Sequence, residues 1–218
     1  MSKITTDVRK VNLTDIYNEA RGCYDELWRQ ARVNGRDVKI YLHWTAGRYH
    51  QFWDSYEIQI DKDGSIYRYN GLDLDDIGDG TWLRNSGSIS ISLLCMFDGS
   101  TKSGGTNPPT AAQLESMVRV ITVLCDALDL SIDKKRVLTH GEAADNEDGI
   151  HPHYDYGPKN TVERWDLEVL FNDESPKYNP WNEPTRGGSI LRSRALWLRN
   201  HYGVGKTHIE IDKFAHYR

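Results

Sequence analysis

The sequence has few cysteines, and none of them forms a recognisable metal-binding or redox motif. Its three cysteines, Cys23, Cys95 and Cys125, are an odd number, and no two of them have Cys-x-x-Cys spacing. A disulfide framework or a cysteine-based zinc finger would need paired or closely spaced thiols. We therefore exclude both and expect the free thiols of a chain made in a reducing cytosol.

Long apolar runs are also missing. Hydrophobic residues make up 38% of the 218 residues, and no run approaches the roughly 18 apolar residues that a membrane-spanning helix needs. The N-terminal residues contain no apolar stretch of the kind that a cleavable secretory signal carries. The sequence predicts no transmembrane segment, synthesis in the cytoplasm without a signal peptide, and release or delivery by another route.

Positive charge is not in excess. The 27 lysine and arginine residues are outnumbered by 32 aspartate and glutamate residues, so the formal net charge is -5. Proteins that bind polyphosphate chains by bulk charge are basic, and we therefore predict that nucleic acid is not a partner. A chain of this length buries one substantial core but is short for two, which favours one main domain with extensions.

The hydrophobic pattern divides the chain into three parts. Apolar residues at helical spacing, ended by Gly35, predict one amphipathic helix and an N-terminal helical extension over residues 1–36. Residues 37–172 carry strand and helix patterns and are assigned to the main domain. Prolines and glycines then become frequent, so residues 173–218 are assigned to a linker and a basic C-terminal helical extension.

Four segments of the main domain alternate apolar and polar residues, as β-strands do. They span residues 38–44, 56–60, 65–69 and 88–96. The second and third are separated by the turn residues 61–64, which predicts a hairpin. The small serines of the fourth strand favour a central place in the sheet.

A helix and a fifth strand complete the main domain. Thr110 and Gln113 have the spacing of a capping box, ahead of an apolar stripe that ends at Leu128. Residues 136–139 have the pattern of a short strand. Together, the predicted strands and helices indicate an α/β fold of the mixed α+β kind, in which helices flank a central mixed β-sheet.

Two histidines fall at the ends of predicted strands, His43 and His140. Strand ends beside loops hold side chains rigidly and leave them accessible. A catalytic zinc site needs three nitrogen or oxygen ligands and a fourth coordination position open to water, and Asp166 could supply the third ligand. Spacing alone does not decide this, because a lone histidine is more often a surface or core residue.

Six short motifs follow one another between His43 and Asp166. They are His43-Trp44-Thr45-Ala46, Ser55–Ile58 with Asp63-Gly64 and Ile66-Tyr67, Ser88–Ile91, Pro109-Thr110 with Gln113, Thr139-His140, and Arg164–Leu167. In this order they resemble the type 2 family of zinc-dependent N-acetylmuramoyl-L-alanine amidases, which includes phage amidase-lysozymes and peptidoglycan recognition proteins. The ordered combination is far more specific than any one motif.

The resemblance implies Zn²⁺ as cofactor, with His43, His140 and Asp166 as its ligands. The stretch between the second and third ligand is longer than is usual in the family, and it offers three other donors, His151, His153 and Asp155. We favour Asp166, because it opens an apolar segment that can fix the carboxylate, whereas a glycine-rich loop would hold a ligand poorly.

The resemblance also implies catalytic residues. Tyr56 matches a tyrosine that assists catalysis in phage-type members. Arg164 stands where the family often has a lysine facing the substrate, and a guanidinium keeps the charge but changes the geometry. Ser92 stands where some bacterial members carry a glutamate that acts as general base. Glu142, two residues beyond His140, could orient a ligand or act as a base, but a solvated loop acid is the favoured interpretation.

The function implied is hydrolysis of the amide bond between N-acetylmuramic acid and L-alanine in peptidoglycan, as in an endolysin or another cell-wall lytic enzyme. One alternative is a recognition module that binds muropeptides without cleaving them. A second is a non-haem iron oxygenase with two histidines and a carboxylate. Such oxygenases usually place the acid close to the first histidine, but the residue two beyond His43 is Thr45.

The C-terminal extension carries an excess of positive charge. Residues 184–209 contain no acid and five basic residues, which are Arg186, Arg192, Arg194, Arg199 and Lys206. A basic amphipathic helix could contact an anionic cell wall by salt-sensitive attraction. Alternatively, Leu191, Ala195 and Leu198 could dock the helix on the main domain and leave the arginines in solvent. The sequence leaves both alternatives open.

Overall fold

The computed structural model describes residues 2–81, 83–145, 147 and 165–202. The strands are β1 (Ile4–Thr5), β2 (Val8–Val11), β3 (Lys39–Trp44), β4 (Phe52–Trp53), β5 (Ile58–Ile60), β6 (Ile66–Tyr69), β7 (Ser88–Leu93) and β8 (Val137–Thr139). The α-helices are α1 (Leu13–Gly22), α2 (Tyr24–Val33), α3 (Ala111–Ala127), α4 (His140–Ala144) and α5 (Gly187–Tyr202). None of these helices is long and apolar enough to cross a membrane.

A six-stranded mixed sheet organises these elements, in the order β2-β6-β5-β7-β3-β8, and β1 and β4 pair separately. Strand β7 runs parallel to both of its neighbours, β5 and β3, and β3 runs parallel to β8. The antiparallel pair of β5 and β6 is the predicted hairpin. The predicted fold class, a mixed sheet flanked by helices, is confirmed, and the strand predicted over residues 88–96 is central in the sheet but ends at Leu93.

Helix α3 supplies much of the core beneath this sheet. Thr110 accepts a hydrogen bond from the Gln113 backbone N–H, and the Gln113 side chain accepts one from the Thr110 N–H, so the predicted capping box is present. The apolar face of α3 is buried, and the helix packs against both α1 and α5. Local capping and burial of one face together explain why this helix follows the sequence pattern closely.

The N-terminal region differs from its prediction. One helix was expected, but the chain forms two, because Cys23 both ends α1 and precedes α2. The predicted stop at Gly35 is confirmed, with Gly35 at φ 68°. Strand β2 was not predicted, because its two apolar residues flank Arg9 and Lys10 and do not alternate with them; it nevertheless joins the sheet beside β6.

The C-terminal helix packs on the rest of the chain. Leu191 and Ala195 are completely buried, and α5 lies against α3. Arg194 pairs with Glu174, and Arg199 donates a hydrogen bond to the Leu130 carbonyl. This packing agrees with the docking alternative, but Arg186 and Arg192 are not left in solvent as that alternative predicts, because each is buried in an ion pair with a glutamate. Lys206 lies outside the described residues, and both the contact with a cell wall and the domain boundaries at residues 36 and 172 stay predictions.

Candidate metal centre and cleft

Parallel pairing of β3 with β8 brings the two predicted histidines together. Leu42 lies opposite Thr139 in this pair, so the next residues, His43 and His140, lie side by side at the carboxyl edge of the sheet. The sequence predicts that a loop follows the strand at His140. Instead, His140 begins the short helix α4. Its neighbour Thr139 caps that helix, which fixes the direction in which the chain leaves the strand.

Three donor atoms converge at this edge. The Nδ1 atoms of His43 and His140 are 3.2 Å apart, and Oδ2 of Asp166 lies 3.3 Å from the His140 atom and 3.6 Å from the His43 atom. All three residues are buried. Two ring nitrogens and a carboxylate oxygen facing one another present lone pairs to a common centre, a donor set that suits a zinc ion. The residues present therefore fit the metal that the sequence resemblance implies.

Burial keeps His43 in the protonation state that a metal ligand needs. Loss of hydration lowers the pKa of its imidazole to about 4, although the nearby Asp166 carboxylate acts in the opposite direction. The ring is therefore neutral at neutral pH. A neutral imidazole is the form that binds a metal, because its lone pair is not occupied by a proton.

The second ring nitrogen of His43 contacts a residue that the sequence did not single out. His43 Nε2 lies 3.1 Å from Oγ1 of Thr81, whose side chain is buried. With Nδ1 assigned as the metal ligand, Nε2 is the nitrogen left to carry the ring proton, and it would donate a hydrogen bond to the Thr81 hydroxyl. Thr81 comes from a loop 38 residues along the chain, and no sequence pattern indicates that such a loop residue will meet His43.

Asp166 is fixed by the turn in which it lies. Leu167 is completely buried, and Trp165 packs edge-on against Trp44, with ring centroids 4.8 Å apart. This agrees with the expectation that an apolar segment would hold the carboxylate. The competing donors, which are His151, His153 and Asp155, and the predicted catalytic residue Arg164 lie outside the described residues.

A cleft of about 720 Å³ opens beside the candidate centre and reaches two of the three donors, His140 and Asp166. Its lining includes Trp44, Thr45, Tyr56, Ile77, Leu83, Met96, His140, Trp165 and Asp166. The half-buried Tyr56 ring lies 5.3 Å from the His43 ring, measured between centroids. Of the predicted site residues that the structure describes, Tyr56, His140 and Asp166 line this cavity. Ile77 and Leu83 add exposed apolar surface to it.

Two glutamates near the candidate centre are buried, and one of them differs from expectation. Glu142, for which a solvated place was favoured, is completely buried and paired with Arg192. The Glu142 carboxylate accepts hydrogen bonds from the Thr139 N–H in the capping box and from the Arg192 guanidinium, which explains why it is buried. Glu57, which the sequence did not single out, is also buried; burial raises its pKa to about 7, and it accepts a hydrogen bond from the Ser90 N–H. Ser92 lies opposite His43 on β7 and offers a hydroxyl there.

Comparisons with known proteins agree with this picture. The model of a family described as N-acetylmuramoyl-L-alanine amidase matches residues 30–158, more than half of the chain. This stretch contains His43, Tyr56 and His140, and it ends before Asp166. Among curated proteins, none matches the chain significantly.

Several solved structures are similar in part. An endolysin N-acetylmuramoyl-L-alanine amidase from Clostridium intestinale is 18% identical, over 48% of this chain and 68% of that one, with a TM-score of 0.36. The endolysin of the Thermus scotoductus bacteriophage Ph2119 is 19% identical, over 55% and 84%, with a TM-score of 0.38. Drosophila peptidoglycan recognition protein SD is 14% identical, over 47% and 68%, with a TM-score of 0.35.

Proposed function

Because this chain belongs to the type 2 family of N-acetylmuramoyl-L-alanine amidases, we propose that it is a zinc-dependent hydrolase that cleaves the amide bond between N-acetylmuramic acid and L-alanine in peptidoglycan. The observation that carries the proposal is the convergence of the buried His43, His140 and Asp166 beside an open cleft, which His140 and Asp166 line. A binding module needs a cleft but has no need for three converging buried donors beside it.

The proposed zinc ligands are His43 and His140 through Nδ1 and Asp166 through its carboxylate. A bound zinc ion supplies a Lewis acid that polarises the scissile carbonyl and makes water a better nucleophile near neutral pH. The chain itself keeps the His43 ring neutral by burial and fixes its orientation through Thr81. The Asp166 carboxylate supplies the negative charge that balances part of the cation's charge.

Tyr56 is the proposed donor to the developing oxyanion. Tyr56 lines the cleft together with His140 and Asp166, and its ring lies beside that of His43. A hydroxyl that donates where negative charge develops stabilises the transition state more than the ground state. Arg164 is proposed as a second donor on the evidence of the family motif alone, since it lies outside the described residues.

The cleft surface favours a substrate that is part sugar and part peptide. Trp165 presents partly exposed aromatic surface close to the proposed ligands, with the buried Trp44 packed against it, and aromatic faces suit the apolar faces of sugar rings. Ile77 and Leu83 offer exposed apolar contacts at the same cleft. We therefore propose peptidoglycan as the substrate and a cell-wall lytic enzyme, such as an endolysin, as the kind of protein.

Digestion of purified peptidoglycan, with mass analysis of the products, tests this function. An amidase releases stem peptides with free L-alanine amino termini and creates no new reducing sugar ends. New reducing ends would identify a glycosidase instead. If the purified protein contains no metal and binds muropeptides without cleaving them, it is a recognition module. Iron in the purified protein together with oxygen consumption would identify an oxygenase.

A further inference from the structure

A cluster of buried charges lies behind the candidate metal centre, and the C-terminal segment contributes its positive members. Arg186 and Arg192 are only 2% and 7% exposed. Their buried partners include Glu168 and Glu142. Each of these glutamates lies two residues beyond a candidate ligand, Glu142 beyond His140 and Glu168 beyond Asp166. We call the segment that carries each ligand and its glutamate an arm of the centre, so each arginine is linked to one arm.

The first link joins Arg192 to the arm that carries His140. Arg192 donates two hydrogen bonds to the Glu142 carboxylate, at 2.6 and 2.7 Å, and a third to the Val137 carbonyl at 3.0 Å. Glu142 in turn accepts a bond from the Thr139 N–H at 2.9 Å. Arg192 is therefore bonded to both the last strand and the first turn of α4, the junction at which His140 lies.

The second link joins Arg186 to the arm that carries Asp166. Arg186 Nε donates to one carboxylate oxygen of Glu168, and the other oxygen accepts a bond from the Thr139 hydroxyl at 2.6 Å. The Gly187 N–H donates to the Glu168 carbonyl at 3.3 Å. Thr139 thus connects the two arms, because it also caps the helix that begins at His140.

Two glycines allow this close approach. A Cβ atom at Gly187 would lie 1.9 Å from the Leu167 carbonyl oxygen, and one at Gly188 would lie 2.7 Å from the Glu142 carboxylate. Real Cβ atoms do not come so close to other atoms, so larger residues would push the segment away. The start of α5 is therefore packed flush against both arms.

We propose that Arg186 and Arg192 are positioning residues that set the geometry of Asp166 and His140. The proposal rests on the proposed zinc hydrolase, and it adds to it a segment that lies beyond the stretch matched by the family. A bidentate guanidinium fixes the direction of a carboxylate as well as its charge. Because the Glu142 carboxylate accepts from the Thr139 backbone N–H and the Glu168 carboxylate accepts from the Thr139 hydroxyl, movement of an arginine is transmitted to the ligand on its arm.

Substitutions at Arg192 test the proposal through zinc affinity. Arg192→Lys keeps the charge but loses the two-pronged contact. The double variant Arg192→Met with Glu142→Gln removes both charges, so no unpaired buried charge is left to unfold it. Arg194→Met is the matched control, since Arg194 lies on the same helix and pairs near the surface. Chelator competition on variants shown to be folded measures the zinc dissociation constant.

The expected result is a dissociation constant raised about tenfold in Arg192→Lys and in the double variant, and unchanged in Arg194→Met. A loss of kcat with little change in KM should accompany it. Parental zinc affinity in both folded Arg192 variants would overturn the proposal. If only stability falls, the arginine is a structural residue and the proposal is wrong.

Histidine ring signals in nuclear magnetic resonance spectra of the zinc-free protein separate this proposal from the proposed function. We expect the His140 ring signals to shift in Arg192→Lys and to stay in place in Arg194→Met, with the exposed His50 as an internal reference. Unchanged His140 signals in the folded Arg192 variants would refute positioning. Absence of zinc binding by the parent protein would refute the metal site alone, since the ring signals need no metal.

Discussion

The Nδ1 atom of His43 lies 3.2 Å from the Nδ1 atom of His140, although 97 positions separate the two residues. The contact exists because β3 and β8 are adjacent and parallel, so both strands deliver their next residue to one edge. Two ring nitrogens lie this close either when one donates its proton to the other or when both offer lone pairs to a shared cation. With the Asp166 carboxylate beside them, the second arrangement is the one that a bound metal would use.

We predict about one zinc ion per chain, measured by elemental analysis of protein purified without added metal. His43→Ala and His140→Ala should each lose most of it, because each removes one of three donors. Asp166→Ala should lower zinc occupancy more than His151→Ala or His153→Ala. The opposite order would assign the third ligand to the segment that contains His151.

We predict that Thr81→Val weakens zinc binding by about tenfold or more, because the His43 ring loses the partner that orients it. The substitution keeps the shape of the side chain but leaves the buried His43 Nε2 without its partner, so the melting temperature should fall by a few degrees, and zinc affinity is measured on the folded variant. Thr106→Val, in a loop elsewhere, is the control. Equal zinc affinity in Thr81→Val and the parent would show that the contact does not orient the ring.

We predict that Tyr56→Phe retains zinc but loses about a hundredfold in the rate of muropeptide cleavage, since only the donating hydroxyl is removed. Steady-state kinetics on a soluble muropeptide measures this. Tyr67→Phe is a suitable control, because Tyr67 lies on β6 and packs against Phe52. Unimpaired cleavage by Tyr56→Phe would make Tyr56 a packing residue.

Glu57 should make stability depend on pH. Burial raises its pKa from 4.5 to about 7, so the folded chain keeps a proton that the unfolded chain releases. Raising the pH from 4.5 to 7 therefore favours unfolding, by at most about 3 kcal/mol. Denaturant titrations at several pH values should show a smaller decline in Glu57→Gln, whose amide oxygen still accepts from Ser90. A parallel decline in both proteins would contradict the prediction.

We predict that truncation after Pro180 lowers the melting temperature by about 5 °C or more, because it exposes the core that Leu191 and Ala195 cover. Activity on soluble muropeptides and on whole walls should fall together. If the segment instead serves to bind the wall, the truncated protein should stay well folded and lose wall binding most clearly at low salt.

The elements predicted well are those whose signals are local. The β5–β6 hairpin has its turn residues, α3 has its capping box, and β7 has its alternation, so short-range patterns suffice. Strand β2 lacked such a pattern, and its place in the sheet depends on pairing with β6, a partner more than 50 residues along the chain. The break at Cys23 was missed because apolar spacing continues through it.

In the candidate site, too, the residues predicted from the sequence are those with a local signal, and the residues missed are those that depend on distant partners. His43, His140 and Asp166 were predicted because each lies in a short motif of recognisable order. Thr81 and Arg192 were missed as functional residues, because each acts through a partner 38 or 50 residues distant. A charged residue such as Glu142 was assigned to solvent for the same reason, since its counter-ion lies on another helix.

Strand β2 also bears on how copies of the protein behave towards one another. Within the described part of the chain it is one of the two outermost strands of the six-stranded sheet, and it pairs there with β6 on one side, so its other edge has no partner strand. An open edge of this kind invites a strand from a neighbouring molecule. Here the edge is four residues long and carries the exposed Arg9 and Lys10. Like charges on two approaching edges repel, which favours colloidal stability over sheet-to-sheet aggregation in concentrated solution.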